Sequence, residues 1–189
     1  MNHKRHTAIH EAGHAVVGRM LTMLCGGASI RPDEEANEAG HSITADPYAV
    51  TAAWEKREKW RDFGTVWTGR ILTVMAGAEA EIEILDSSEG GDEDDRYQIT
   101  LMLHESLDEA VHERREARLR RLARQIVRRH RASIEKVAAA LEARETLTGE
   151  EIDEMLPPTF MSRPVTWDLA LSDEDAEPIA LQQPPSLLS

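Results

Sequence analysis

The sequence predicts a mainly α-helical protein that contains one small β-hairpin or sheet. Two observations lead to this fold class. Several long stretches carry apolar residues at intervals of three and four positions, which is the spacing of one helix face. Between residues 28 and 44, by contrast, only short apolar runs occur, and turn-forming residues separate them. We therefore expect helices to build the core and the short runs to pair beside them.

The first predicted helix covers residues 3 to 24, where apolar side chains recur at helical spacing and no proline interrupts them. Gly26 and Gly27 follow, and paired glycines favour the left-handed cap that ends a helix. Residues 28 to 31 and 41 to 44 are then predicted to form the two strands of a hairpin.

Helices are predicted again after the hairpin. Pro47 precedes the second predicted helix, over residues 48 to 62. A strongly apolar pattern from residue 65 to residue 85 predicts the third. Asp92 is predicted to cap the fourth, because a carboxylate can accept hydrogen bonds from the free N–H groups of a first turn.

The last part of the helical region is rich in arginine. Residues 106 to 145 predict a long helix, broken around residues 130 to 133, and Thr148 with Glu151 forms a capping box that begins a short final helix. Arginines spread around all sides of a helix more often pair with acidic neighbours than bind nucleic acid, so a nucleic-acid partner is the lesser alternative. The arginines of the long helix are Arg114, Arg115, Arg118, Arg120, Arg121, Arg124, Arg128, Arg129 and Arg131.

Composition narrows the class of protein. The 189 residues carry a formal net charge of −13, which disfavours nucleic acid and anionic membranes as partners. Cys25 is the only cysteine, so an intramolecular disulfide framework and a cysteine-rich zinc finger are excluded. No apolar run has the length of a signal peptide or a membrane span, and we expect a cytoplasmic protein. We assign residues 1 to 158 to one domain and residues 159 to 189 to a proline-rich, acidic C-terminal tail.

The most informative motif is His10-Glu11-Ala12-Gly13-His14, which has the pattern HExxH. Successive residues of an α-helix are rotated by roughly 100°, so His10 and His14 project about 40° apart on successive turns and can bind one metal ion. Zinc held there would lower the pKa of a bound water towards about 7, and Glu11 would accept the proton. The motif predicts His10 and His14 as zinc ligands and Glu11 as the general base.

The third zinc ligand is not fixed by spacing. A catalytic zinc usually has three protein ligands, and the extended metzincin pattern is absent because Val17 and Met20 occupy the positions of its glycine and histidine. A glutamate on a later helix and a carboxylate of the acidic run before the fourth helix both remain open. The candidates are Glu55, Glu58, Glu79 and Glu81 among the glutamates, and Asp92, Glu93, Asp94 and Asp95 in the acidic run.

Several segments occur in an order that is typical of one protease family. Residues 7 to 17 read TAIHEAGHAVV, residues 76 to 81 read AGAEAE, and residues 91 to 95 read GDEDD. Two helical segments, residues 130 to 138 and 145 to 152, follow them. In this order the chain resembles the peptidase domain of the FtsH family of zinc metalloproteases.

The resemblance implies a helical, zincin-type metallopeptidase fold, with Asp95 as the third zinc ligand and Asp94 as the alternative. It implies a zinc-dependent metalloendopeptidase that hydrolyses peptide bonds in peptides or unfolded proteins. The sequence contains no Walker A motif, so we expect a stand-alone peptidase. A separate ATPase or unfoldase and a homo-oligomeric ring are the partners that the family implies.

Two further expectations complete the hypothesis. A strand edge near residues 29 to 31 is expected to hold an extended substrate by backbone pairing. The alternative function is a zinc-binding interaction or regulatory module of the same fold that does not cleave peptides by itself.

Overall fold

The computed structural model describes residues 3–23, 25–32, 39–56, 63–88, 92–106 and 109–157. Glu58 and the predicted tail over residues 159 to 189 lie outside these ranges. The described part is mainly helical with a small sheet, as predicted. None of its helices combines the length and the apolar character that crossing a bilayer requires. The elements are α1 (His3–Met20), β1 (Cys25–Ser29), β2 (His41–Thr44), α2 (Pro47–Glu55), α3 (Phe63–Leu85), α4 (Glu93–Ser106), α5 (Glu109–Arg144), β3 (Thr146–Leu147) and α6 (Gly149–Met155).

The core lies between α1, α3 and α5, which pack against one another through their apolar faces. Burial of each large apolar side chain stabilises the fold by about 2 kcal/mol. Helices α1 and α3 lie close together at Gly13. A Cβ at this position would lie only 2.6 Å from the carbonyl oxygen of Ala76, so the absence of a side chain permits the close approach. This approach brings the HExxH residues directly against α3. Fully buried side chains of the core include Ile9, Val16, Ile71, Met75, Ile134 and Leu141.

Within the described residues, the antiparallel sheet has three strands in the order β2-β1-β3, one more than the predicted hairpin. Gly26 and Gly27 belong to β1, so the prediction that they end the first helix is wrong. Helix α1 ends at Met20, and Thr22 adopts a left-handed φ of 58° in the following turn. A Cβ at Gly27 would overlap the carbonyl oxygen of Leu147, so glycine is required where β3 pairs with β1.

Within the described residues, the helices predicted after the hairpin are present. Helix α5 is long and kinked at His130, whose φ of −106° and ψ of 16° are not helical, which agrees with the predicted break. The predicted capping box is formed at α6, where the Thr148 side chain accepts from the backbone N–H of Glu151 and the Glu151 side chain accepts in return.

Arginines of α5 fasten that helix to α3. Arg124 donates from Nε to the buried Glu79 carboxylate at 2.8 Å. Arg128 donates to both oxygens of Glu83, at 2.8 and 2.9 Å. Arg124 and Arg128 therefore have the acidic partners within the protein that were expected for this helix, and they help to position α3, which carries part of the site.

Candidate metal centre

Helix α1 brings the three reactive residues of the HExxH motif to one cavity of about 250 Å³. His10, Glu11 and His14 all line this cavity. The two imidazole rings lie one helical turn apart, with centroids separated by 4.6 Å and planes inclined by 82°. The opposite face of α1 is buried in the core, so the histidines are directed towards α3 and α4.

Asp95, in the first turn of α4, approaches both histidines. Its Oδ2 atom lies 3.1 Å from Nε2 of His10 and 3.1 Å from Nε2 of His14. Among the described residues, His10, His14 and Asp95 form a group whose ligand atoms all lie within 4.8 Å of one another. Asp94 lines the same cavity but does not belong to that group. The arrangement thus brings together the three residues that were predicted as metal ligands.

The other ring nitrogens of the two histidines contact α3. Nδ1 of His10 lies 2.6 Å from Oε1 of Glu81, and Nδ1 of His14 lies 2.8 Å from the carbonyl oxygen of Thr73. The carbonyl oxygen of Thr73 and the ionised carboxylate of Glu81 accept hydrogen bonds and cannot donate them. Each Nδ1 therefore carries a proton and donates it. In the neutral imidazoles, each Nε2 then presents a lone pair towards Asp95.

Three acceptors therefore face one another at the centre when the histidines are neutral. Two Nε2 lone pairs and a carboxylate oxygen repel one another unless a positive charge lies between them. A divalent cation satisfies all three at once, and imidazole with carboxylate is a common ligand set for zinc. Protonation of the imidazoles is the other way to supply the charge. The geometry is thus suited to hold a metal ion.

The titration behaviour of the centre has the same origin. Burial alone would lower the pKa of His10, but hydrogen bonds to Asp95 and Glu81 raise it to about 10. Burial also opposes the charged form of His14, yet the Asp95 carboxylate raises its pKa above the ordinary value. Burial alone would raise the pKa of Asp95, whereas the neighbouring imidazoles hold it well below its usual range. The surrounding carboxylates thus favour positive charge at the imidazoles.

No protein-family model matches the chain, and a comparison with curated proteins also finds no match. The resemblance to the FtsH peptidase domain therefore stays a prediction that depends on the motifs themselves.

Gly77 of α3 makes room for the two imidazoles. A Cβ at this position would lie 2.6 Å from Nε2 of His10 and 2.6 Å from Nε2 of His14. Such distances are far shorter than carbon and nitrogen atoms tolerate, and both rings are held in place by their Nδ1 contacts. A residue without a side chain is therefore required at position 77 for the rings to keep this arrangement.

Glu11 is buried beside the centre and retains unused hydrogen-bonding capacity. Among the described residues, its Oε2 atom has no hydrogen-bond partner. Burial raises the pKa of Glu11, although the nearby His14 and His10 act in the opposite direction. The end of the loop before β2 closes over it, since a Cβ at Gly40 would lie 3.1 Å from Cγ of Glu11. A buried carboxylate with a free oxygen is suited to accept a proton.

The remaining candidates for the third ligand occupy other positions. Glu79 points to α5, where it pairs with Arg124 and lies 3.6 Å from Arg120. Glu81 contacts His10 through Nδ1, the nitrogen on the far side of the ring from Asp95. Glu55 is the last residue of α2 and is absent from the lining of the cavity among the described residues. None of these three carboxylates belongs to the group formed by His10, His14 and Asp95 in the described part of the chain.

Sequence reasoning missed the contribution of α3 to the site. Thr73 and Gly77 were not singled out, and Glu81 was considered only as a ligand. The three residues recur at every fourth position, so they form one stripe on a helix that is otherwise mostly apolar. That stripe of small and polar residues is the signal that identifies the face of α3 directed at the metal centre.

Proposed function

We propose that this protein is a zinc-dependent metalloendopeptidase in which His10, His14 and Asp95 hold Zn²⁺. One observation carries the proposal: two Nε2 atoms and one carboxylate oxygen converge, with the free oxygen of Glu11 at the same cavity. The zincin-type fold is part of this proposal. It is supported by the HExxH helix and by the carboxylate that a separate helix supplies.

Both the atoms that would bind zinc and the groups that hydrogen-bond to the two histidines are suited to this metal. Imidazole nitrogens and a carboxylate oxygen are usual ligands of catalytic zinc, which keeps one position for water. Glu81 and the Thr73 carbonyl orient the imidazoles through Nδ1, the type of support that metal-bound histidines normally have. When bound, zinc supplies a water of lowered pKa and polarises the carbonyl of the scissile bond.

Glu11 performs the proton transfers in this mechanism. Its carboxylate takes a proton from the attacking water as the C–O bond forms. It then gives that proton to the nitrogen of the leaving amine as the C–N bond breaks. Burial favours this role because it brings the affinity of the carboxylate for protons closer to that required near neutral pH.

The substrate is proposed to bind along β2 instead of the strand edge near residues 29 to 31. Strand β1 lies between β2 and β3, so its backbone is already paired on both sides. Strand β2 is an edge strand of the described sheet, and Gly40, His41, Ser42 and Thr44 line the metal cavity. An extended peptide that pairs with β2 would therefore pass the metal centre. Peptides and unfolded proteins can adopt this conformation, and a separate unfoldase would supply them from folded proteins.

Zinc content and cleavage of an unfolded protein test the proposal together. Purified wild-type protein should contain about one zinc per chain and cleave a fluorescently labelled, reduced and unfolded test protein, and a chelator should stop the cleavage. Glu11→Gln should retain zinc and lose cleavage by several orders of magnitude, whereas His10→Ala should lose the metal. Glu83→Gln is a matched control because Glu83 pairs with Arg128 away from the cavity.

Two results would contradict the proposal. Undiminished cleavage by Glu11→Gln would exclude the mechanism. Zinc binding with no cleavage of any peptide or unfolded protein would instead support the zinc-binding interaction module.

A further inference from the structure

The metal cavity contains an arginine that the proposed mechanism does not use. Arg70 lines the cavity together with His10, His14 and Asp95. It lies on α3 three residues before Thr73, and both residues line the cavity from the face of the helix directed at the metal centre. One helical turn advances about 5 Å. The backbone of Arg70 therefore lies within about one turn of Thr73, whose carbonyl oxygen orients His14.

Arg70 differs from Arg19, Arg124 and Arg128 in its partners. Its Nη2 atom donates to the Oε1 atom of Gln98 at 3.1 Å, and within the described residues it forms no ion pair with a carboxylate. Arg19, Arg124 and Arg128, by contrast, each have a carboxylate partner. Burial lowers the pKa of Arg70, although the charge of Asp95 opposes this change. The cation is thus partly desolvated beside a cavity and has N–H groups available.

Gln98 places this cation on the side of α4 that faces the metal. It follows Asp95 by three residues, so the two side chains lie on one face of α4. Both line the cavity, and the Gln98 amide holds one end of the Arg70 guanidinium. A planar guanidinium fixed at one end can still bind the two oxygens of a carboxylate with its remaining N–H groups.

We propose that Arg70, oriented by Gln98, binds a carboxylate of the peptide substrate next to the scissile bond. This inference rests on the proposed peptidase function and names a class of substrate for it. The carboxylate has two sources: an Asp or Glu side chain, as expected for an endopeptidase, or the C-terminus of a peptide, which would direct cleavage to bonds close to the chain end. In either case Arg70 determines specificity, because it contacts a part of the substrate that does not react.

A set of matched peptides tests the proposal. An internally quenched heptapeptide of uncharged residues is prepared with a free C-terminal carboxylate and with a C-terminal amide. Amidated versions then carry Glu, or Gln as the neutral match, at each internal position in turn. Wild-type protein should cleave at least one carboxylate form with a kcat/KM about 10 to 100 times that of its neutral match, because a charge-assisted contact is lost in the latter. The form that shows the preference identifies the source of the carboxylate.

Substitutions then connect the preference to Arg70. In Arg70→Gln the ratio between the carboxylate and neutral forms should fall to about one. Arg70→Lys, which keeps the charge but not the planar fork, should give an intermediate ratio. Arg128→Gln should retain the wild-type ratio, since Arg128 pairs with Glu83 outside the cavity. Circular dichroism and zinc content establish that each variant is folded and loaded. A ratio of one for every pair in the wild type, or an unchanged ratio in Arg70→Gln, would overturn the proposal.

A binding measurement separates this proposal from the proposed peptidase function. Zinc-loaded Glu11→Gln protein is titrated with the same peptides, and fluorescence anisotropy reports their affinity. Tighter binding of a carboxylate form, lost in the Glu11→Gln, Arg70→Gln double variant, would support the anion site even if the wild type cleaved nothing. Equal affinity for all carboxylate and neutral forms would overturn it.

Discussion

Oε1 of Glu81 lies 2.6 Å from Nδ1 of His10, whose Nε2 atom faces Asp95 on the other side of the ring. Thr73 has the same relation to His14 through its carbonyl oxygen. Helix α3 therefore fixes the orientation of both imidazoles, although it supplies none of the three converging groups. Substitutions on α3 can consequently separate the support of the ligands from the ligands themselves.

We expect Glu81→Gln to lower the affinity for zinc by about 10- to 100-fold, as loss of a carboxylate behind a metal-bound histidine usually does. The amide still accepts a hydrogen bond from Nδ1 of His10, but it no longer supplies the negative charge. Competition with a chromophoric chelator measures the affinity. Glu83→Gln, two residues away and paired with Arg128, should bind zinc as the wild type does. Equal affinities of the two variants would contradict this account of the centre.

We expect Gly77→Ala to disrupt the metal centre, because its Cβ would lie 2.6 Å from ring atoms of both histidines. Displacement of the rings by about 1 Å should lower cleavage by about a hundredfold. Zinc stoichiometry and kcat/KM are the measurements. Gly69→Ala on the same helix is the control, since its Cβ would meet Met23 Sδ at 3.4 Å, which is ordinary contact. A fully active Gly77→Ala protein would show that the rings do not lie where α3 holds them.

We expect zinc affinity to rise with pH. In the metal-free protein the pKa of His10 is about 10 and that of His14 is raised, because Asp95 favours both imidazolium forms and Glu81 favours that of His10. Zinc requires neutral imidazoles, so its binding must release protons near neutral pH. Each released proton changes the apparent affinity by about tenfold per pH unit. Chelator competition at several pH values between about 6 and 8 measures the slope, and an affinity independent of pH would contradict it.

The raised pKa of His10 also affects the stability of the metal-free protein. This stability falls as the pH rises, whereas the zinc affinity increases. A raised pKa in the folded state means that the charged His10 stabilises the fold below its ordinary pKa of 6.5. This contribution is lost as the pH rises from 6.5 through about 10. Urea denaturation in the presence of a chelator should show the loss, and His10→Gln should remove it.

Helix positions and the common helix face of His10 and His14 can be predicted from the sequence because both have periodic signals, whereas Asp95 is predicted only through the resemblance to a protease family. The spacing of His10 and His14 places both on one helix face, and the acidic run at the start of α4 marks a place where a first turn can supply a carboxylate. The sequence left the choice among several carboxylates open at this level. That choice depends on how α4 docks on α3, which no local pattern contains.

The sheet was predicted less well because its signals are short. Strand β3 has only two residues, too few for a period, and it pairs with β1 across more than a hundred positions of the chain. A pair of glycines can end a helix or lie in a strand where another backbone comes close. The contact of Gly27 with Leu147 in the folded protein favours the strand. Because β3 pairs with β1, β1 is the central strand of the described sheet and β2 is an edge strand. This is why the substrate is proposed to bind along β2.

A last prediction concerns Arg19, which ties the end of α1 to the sheet and to α6. Its side chain is 2% exposed and pairs with Asp153, and its guanidinium also donates to the carbonyl oxygens of Gly26 at 2.8 Å and Gly149 at 3.2 Å. We expect Arg19→Met to destabilise the fold by about 3 kcal/mol, because Asp153 and both carbonyl groups lose their donor. Urea denaturation measures the loss as a lower midpoint, while the dependence of the free energy of unfolding on urea concentration stays unchanged.

The control for Arg19 is a cation of α1 at the surface. Arg5 lies 3.2 Å from Glu142, and its side chain is 40% exposed, so Arg5→Met should cost less than about 1 kcal/mol. Arg19→Met should also retain its zinc affinity, since Arg19 is not among the cavity-lining residues in the described part of the chain. Equal stabilities of the two variants would mean that the buried guanidinium contributes no more than a solvated one, and its contacts with β1 and α6 would not then account for the docking of those elements.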